Sequence, residues 1–147
     1  MAFLKFGENE MNLDIIDYEF KDNENDIYDL NWLQIELTLN VNQISFSIID
    51  PCLLTFEIHE LINWFEKLIS QDFSQNMISF IEPNLIFEYV NGFIKVFFAC
   101  EFKPKRIPID QDFLIKIPFE KESVECFKSD LKLKAEKFPI RKPKNEN

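Results

Sequence analysis

Apolar and polar positions along the chain switch between a period of two and a helical period, and the switches mark out its elements. Met11, Leu13 and Ile15 alternate, and Ile16, Tyr18 and Phe20 continue on the opposite parity. That pattern predicts a strand over 11–20 with a bulge at Ile15–Ile16, where one extra residue flips the facing. The following KDNENDIYD is too polar to pack and reads as an acidic loop. From 32 to 39, Leu33, Ile35, Leu37 and Leu39 face one way, and Gln34, Glu36 and Thr38 the other. From 43 to 49, Ile44, Phe46 and Ile48 alternate with Ser45 and Ser47. A loop over 40–43 pairs Leu39 with Ile44, Leu37 with Phe46 and Ile35 with Ile48, so every apolar position meets another. Asp50-Pro51 is expected to break that strand.

Thr55 is the expected N-cap of a helix with Glu57 and Glu60 in its first turns, where acids suit the dipole. Ile58, Leu61, Ile62, Phe65, Leu68 and Ile69 recur at helical spacing, leaving His59, Asn63, Glu66 and Lys67 toward water. Trp64, close to that stripe, is expected to be half-buried. A short strand follows at 77–82. Asn91-Gly92 between the runs 85–90 and 93–102 is the strongest hairpin signal in the chain. It pairs Val90 with Phe93, Tyr89 with Ile94, Glu88 with Lys95 and Phe87 with Val96. Ile86, Val90, Phe93 and Phe97 flank the charged pair on its own face, so both faces of this hairpin are largely apolar and the second one calls for cover. The basic KPKRIPID connects to a strand through Phe113, Ile115 and Ile117. A last helix over 123–137 carries Val124, Phe127, Leu131 and Ala135 on one face, and Pro139 ends it. The order predicts an α+β fold: a mainly antiparallel sheet of about six to seven strands with two amphipathic helices packed on it. One domain is expected over 1–147, with an ordered core at about 11–138 and a loose tail at 139–147.

Composition narrows what such a fold does. Hydrophobic residues are 46% of the chain, with 17 Phe and only 2 Gly, enough for a core and too few glycines for a phosphate cradle. No apolar run reaches the roughly 18 residues of a membrane span. The N-terminal MAFLKFGENEMNLD lacks a secretory h-region, so a cytoplasmic location is expected. Cys52, Cys100 and Cys126 are widely spaced and read as reduced thiols packed as small apolar groups. Net charge is −10, unevenly spread. Residues 1–102 hold 18 acids and 4 bases, a net of −14, whereas 103–147 hold 8 acids and 12 bases, a net of +4. A body this acidic repels nucleic acid and anionic membranes and attracts a cationic protein.

Catalytic patterns are missing. His59 stands alone on a polar helix face, and no HExxH, GxSxG, P-loop or Cys-His motif occurs. Asp22, Glu24 and Asp26 alternate like calcium ligands but lack the glycine and the distal Glu of such a loop. No metal, cofactor or enzymatic activity is expected. Asp22, Glu24, Asp26 and Asp29, with Trp32 directly after them, form the candidate partner surface. A tryptophan beside acids anchors Arg- or Lys-rich partners, or it packs beneath the loop.

The run Asp17-Tyr18-Glu19-Phe20, the acidic loop, Asn31-Trp32-Leu33, Leu54-Thr55 and Glu82-Pro83-Asn84-Leu85 resemble, in that order over about 12–135, the WapI-like immunity proteins of bacteria. The resemblance implies a cytoplasmic, non-enzymatic inhibitor of a polymorphic or contact-dependent toxin, binding the toxin's C-terminal domain. A cationic nuclease occluded by charge mimicry suits the acidic body. The alternative is a structural protein that forms a homodimer through Ile86, Val90, Phe93 and Phe97.

Overall fold

The computed structural model describes residues 2–6, 8–22, 25–41 and 43–144. In chain order these form β1 (Ala2–Phe6), β2 (Asn9–Tyr18), α1 (Ile27–Asn31), β3 (Trp32–Val41), β4 (Ile44–Leu54) and α2 (Thr55–Ile69). Then come β5 (Met77–Ile78), β6 (Leu85–Val90), β7 (Phe93–Phe98), a 3-10 turn (Cys100–Phe102), β8 (Phe113–Pro118) and α3 (Lys121–Ala135). The fold is α+β and its strand pairs are antiparallel, with two long amphipathic helices as expected. The strands, however, divide between two four-stranded sheets, β1-β2-β3-β4 and β5-β6-β7-β8, instead of forming one. Helix α2 separates the two sets of strands in sequence, and each sheet closes on its own partners.

The first sheet contains three departures from the expected pattern. β1, which the sequence did not announce, pairs with β2 and buries Leu4 completely. The bulge in β2 falls at Ile16, between Ile15 and Asp17, as predicted. The β3–β4 register is displaced by two residues: Val41 faces Ile44, Leu39 faces Phe46 and Leu37 faces Ile48. A shift of two leaves every side chain on its predicted face and adds buried Val41 to the strand. Gln43 then carries the left-handed backbone, at φ 66°, in a turn without glycine. β4 also runs through Asp50-Pro51 instead of stopping there. A bulge opposite Gln34 accommodates Pro51, and β4 lies at the sheet edge, where a missing N–H is tolerated.

In the second sheet the β6–β7 register is the predicted one, residue for residue. Asn91 and Gly92 both take positive φ, 50° and 82°, as a tight hairpin turn requires. β5 is only Met77–Ile78, shorter than expected, because the chain turns away before Pro83.

Helix α2 begins at Thr55 with Leu54 as its cap, not with Thr55. Glu57 does the capping: its Oε1 accepts from the Leu54 amide at 3.0 Å and its Oε2 from the Ile81 amide at 2.9 Å. Trp64 is fully buried instead of half-buried, because its indole N–H donates to the Gln75 carbonyl at 2.8 Å and so carries no unmet polar group inside. Its ring stands 5.1 Å from Phe65 and 6.1 Å from Phe87. Phe65 in turn meets Phe87 at 5.7 Å and Phe127 at 5.2 Å, so one ring of α2 joins the second sheet to α3. Each such side chain taken from water contributes roughly 1.5–3 kcal/mol. α3 lies against α2, β1 and β2, and presents Val124, Phe127, Leu131 and Ala135 to the core as predicted. Both sheets and both long helices thus contribute to one hydrophobic cluster.

Candidate functional site

The acidic segment does not remain a loop throughout. Asp26 caps α1, its Oδ1 accepting from the amides of Tyr28 at 2.7 Å and Asp29 at 3.3 Å. Asp29 sits in the first turn of that helix, where its charge suits the dipole. Asp22 is exposed, with Lys144 Nζ 3.7 Å away. Glu24 lies outside the described residues. Trp32 is half-buried at the start of β3, opposite Leu54, and its carbonyl accepts from the Glu19 amide at 2.8 Å.

A buried asparagine, read in the sequence only as the start of the Asn31-Trp32-Leu33 run, organises this end. Asn31 Nδ2 donates to the carbonyls of Ile27 at 2.7 Å and Arg141 at 2.9 Å. Its Oδ1 accepts from Thr55 Oγ1 at 2.7 Å and from the Arg141 amide at 2.9 Å. All four hydrogen-bonding positions of the side chain are filled, which a fully buried amide needs. α1, the start of α2 and the segment after α3 are thereby tied together.

That segment, whose tail from 139 onward was expected to be loose, is held at several points over 138–141. Phe138 meets the Tyr18 ring edge-on at 5.5 Å, and the Tyr18 hydroxyl donates to the Pro139 carbonyl. The Arg141 guanidinium lies 3.3 Å from the centroid of the Tyr18 ring and donates to the Phe20 carbonyl at 3.1 Å. Burial raises the Tyr18 hydroxyl pKa above its ordinary value, with Arg141 opposing. Around this strap Phe20, Ile27, Tyr28 and Ile140 expose 38–47% of their surface. Asp17, Glu19, Asp22, Asp26 and Asp29 stand on the same segments. Ile27 and Tyr28 were legible only as loop residues, because a five-residue helix carries too few positions to register a period, whereas Phe20 was read as the end of a strand that stops at Tyr18.

The second predicted surface lies on the other sheet. Ile86, Val90, Phe93 and Phe97 are half-buried and share the outer face of β6 and β7 with Glu88 and Lys95. β8 extends the pattern, with Leu114 beside Phe97, Lys116 beside Lys95 and Pro118 beside Phe93. Lys116 Nζ rests 4.2 Å from the Phe93 ring centroid, so part of the apolar surface is covered by the protein's own cation.

Chemistry elsewhere is sparse. His59 is exposed on α2, and among the described residues no group of three or more His, Cys, Asp or Glu could hold a metal ion. Of the cysteines only Cys52 is packed as expected, with burial pushing its thiol pKa up. Cys100 and Cys126 are exposed, because a 3-10 turn and the wet face of α3 turn them outward. No described helix is long and apolar enough to cross a membrane.

The model of the immunity protein WapI-like family matches residues 3–139. The chain belongs to the WapI-like immunity protein family. No curated protein and no solved structure matches it. Membership in an immunity protein family implies a toxin protein as partner. Of the strap, only Phe138 and Pro139 lie within the matched stretch, while Arg141 and Lys144 follow it.

Proposed function

We propose that this chain is a cytoplasmic immunity protein that binds the C-terminal domain of its cognate toxin, a cationic nuclease, through the acidic end at 17–32 and occludes it without catalysis. One observation carries the reading: exposed Phe20, Ile27 and Tyr28 are interspersed with acids on a surface that already seats a guanidinium over Tyr18. Apolar rings supply contact area and carboxylates supply steering and register, the combination that a basic partner with Arg side chains fits.

The test is a titration of the toxin domain with this protein at rising salt. Affinity should fall as salt rises and drop by about tenfold or more when Asp22, Glu24, Asp26 and Asp29 are all changed to Asn. Asn is the right replacement because it preserves the Asp26 cap. Affinity indifferent to salt, or intact in that variant, removes the reading. A second reading rests on exposed Met77 opposite Glu88 and exposed Leu114 beside Phe97: a homodimer through the outer face of the β6–β7 hairpin. Light scattering that finds a monomer at all concentrations rules it out.

A further inference from the structure

Away from the acidic end, the open edge of β4 faces the basic connection that follows the 3-10 turn. Between them runs a groove of about 460 Å³, with Ile44, Phe46 and Ile48 on one side and Pro104, Lys105 and Arg106 on the other. Gln43 and Ser45 also line it, so the groove reaches from the inward face of β4, where Ile44, Phe46 and Ile48 pack against the core, to the rim of the strand.

The register says what that edge offers. Only two residues separate Val41 from its partner Ile44, so this is the close, doubly hydrogen-bonded pair of a tight hairpin. Alternation then turns the N–H and C=O groups of Ile44, Phe46 and Ile48 toward β3, and those of Ser45 and Ser47 outward. β4 is terminal in its sheet, and no described backbone group bonds to it there. Native proteins usually blunt such an edge; this one keeps an unbroken run of seven paired residues, Ile44 to Asp50, before the Pro51 bulge.

Charge selects the occupant. Lys103 is spent within the chain, its Nζ donating to the carbonyls of Pro108 at 2.7 Å and Ile109 at 3.2 Å. Lys105 and Arg106 are exposed and bond to no described group, while Glu101 is the acid lining the same groove. In a body whose first 102 residues carry a net of −14, this is a local cationic rim over an apolar floor.

We infer that this groove takes an extended segment of a partner protein whose groove-facing side chains are both apolar and acidic, added to β4 as a fifth strand. Backbone hydrogen bonds to Ser45 and Ser47 supply affinity, apolar side chains lie along Ile44, Phe46 and Ile48, and acids reach Lys105 and Arg106. The inference stands apart from the acidic end: the chemistry it selects is opposite in sign, so either surface can fail alone.

The probe is a labelled peptide of roughly nine residues, Val-Thr-Glu-Thr-Val-Thr-Glu-Thr-Val, which turns Val and Glu to one face, with its counterpart carrying Lys in place of Glu, read by fluorescence anisotropy on the full chain. The glutamate peptide should bind about tenfold or more tighter than the lysine one, and amide exchange at Ser45 and Ser47 should slow on binding. Lys105→Glu with Arg106→Glu should invert the preference. Ser47→Pro, tolerated at an edge whose N–H is unused, should abolish binding with the thermal melt intact. Equal binding of both peptides overturns the inference, as does binding without protection at 45 and 47. Two rival occupants have their own signatures, and either overturns it. Sodium decanoate that displaces the peptide without protecting those amides marks a site for small amphiphiles. Self-association by sedimentation that Ser47→Pro removes marks pairing between copies.

Discussion

The two long hairpins of this molecule are built on opposite logics. β6–β7 turns on Asn91-Gly92, both residues at positive φ, and its register follows from the turn. β3–β4 has Gln43 at φ 66° where glycine would be at ease, and its register follows from what it buries, Val41 included. Local chemistry fixes one hairpin and the core fixes the other. A turn signal can therefore be read off a few letters, whereas a register set by burial requires the other side of the core.

The largest effect should come from removing packing shared beyond a hairpin. Phe87→Ala strips a ring that touches both Trp64 and Phe65, and about 3–5 kcal/mol should be lost in denaturant unfolding. Val41→Ala removes less volume, and about 1–2 kcal/mol is expected; a larger loss than at Phe87 would reverse the ranking. The turns come next. Gly92→Val forces a β-branched residue to φ 82° and should cost about 1–2 kcal/mol although nothing stands within 4 Å of the added Cβ. Gln43→Gly relieves the same strain in the other turn and should raise the melting temperature by a few degrees, equivalent to about 1 kcal/mol. A neutral result at both positions would mean that neither turn stores strain.

The smallest expected effect concerns the residue that joins the two halves. Glu57 bonds Leu54 at the end of β4 and Ile81 on the approach to β6, and burial raises its pKa above the ordinary carboxylate value despite those two amides. The folded state therefore holds this proton more tightly than the unfolded one. Its contribution to stability is present at low pH and lost as pH rises through the folded pKa. Melting temperatures taken as the pH falls from neutrality toward the ordinary carboxylate pKa should rise through this residue, and Glu57→Gln should flatten that part of the slope. An unchanged slope in the variant would place the dependence elsewhere, Asp50 being the next carboxyl that burial raises.

What was legible in the sequence follows the same division. Both long helices, the bulge at Ile16, the β6–β7 register and the core face of α3 were all carried by short-range periodicity or by one dipeptide. β1 was missed because its partner and its cover come from later in the chain. The strand through Pro51 was missed because an edge position forgives what a central one would not. At the candidate site the acids were visible, but their frame was not. Asn31 meets Arg141 across 110 residues and Tyr18 meets Pro139 across 121, and no local pattern encodes contacts of that reach. Asp26 also proved to have a structural task, capping α1, that a count of charges conceals.

The strap over Tyr18 has a consequence for timing. A ribosome delivers about 5–20 residues per second from the N-terminus, and hairpins close within microseconds of becoming available. β2, α1 and β3 thus exist long before residue 141 does, yet Asn31 lacks two of its four partners until then. The acidic end is among the first parts of the molecule to be made and the last to be finished. A nascent chain halted anywhere before Arg141 carries the charges of this surface without its frame.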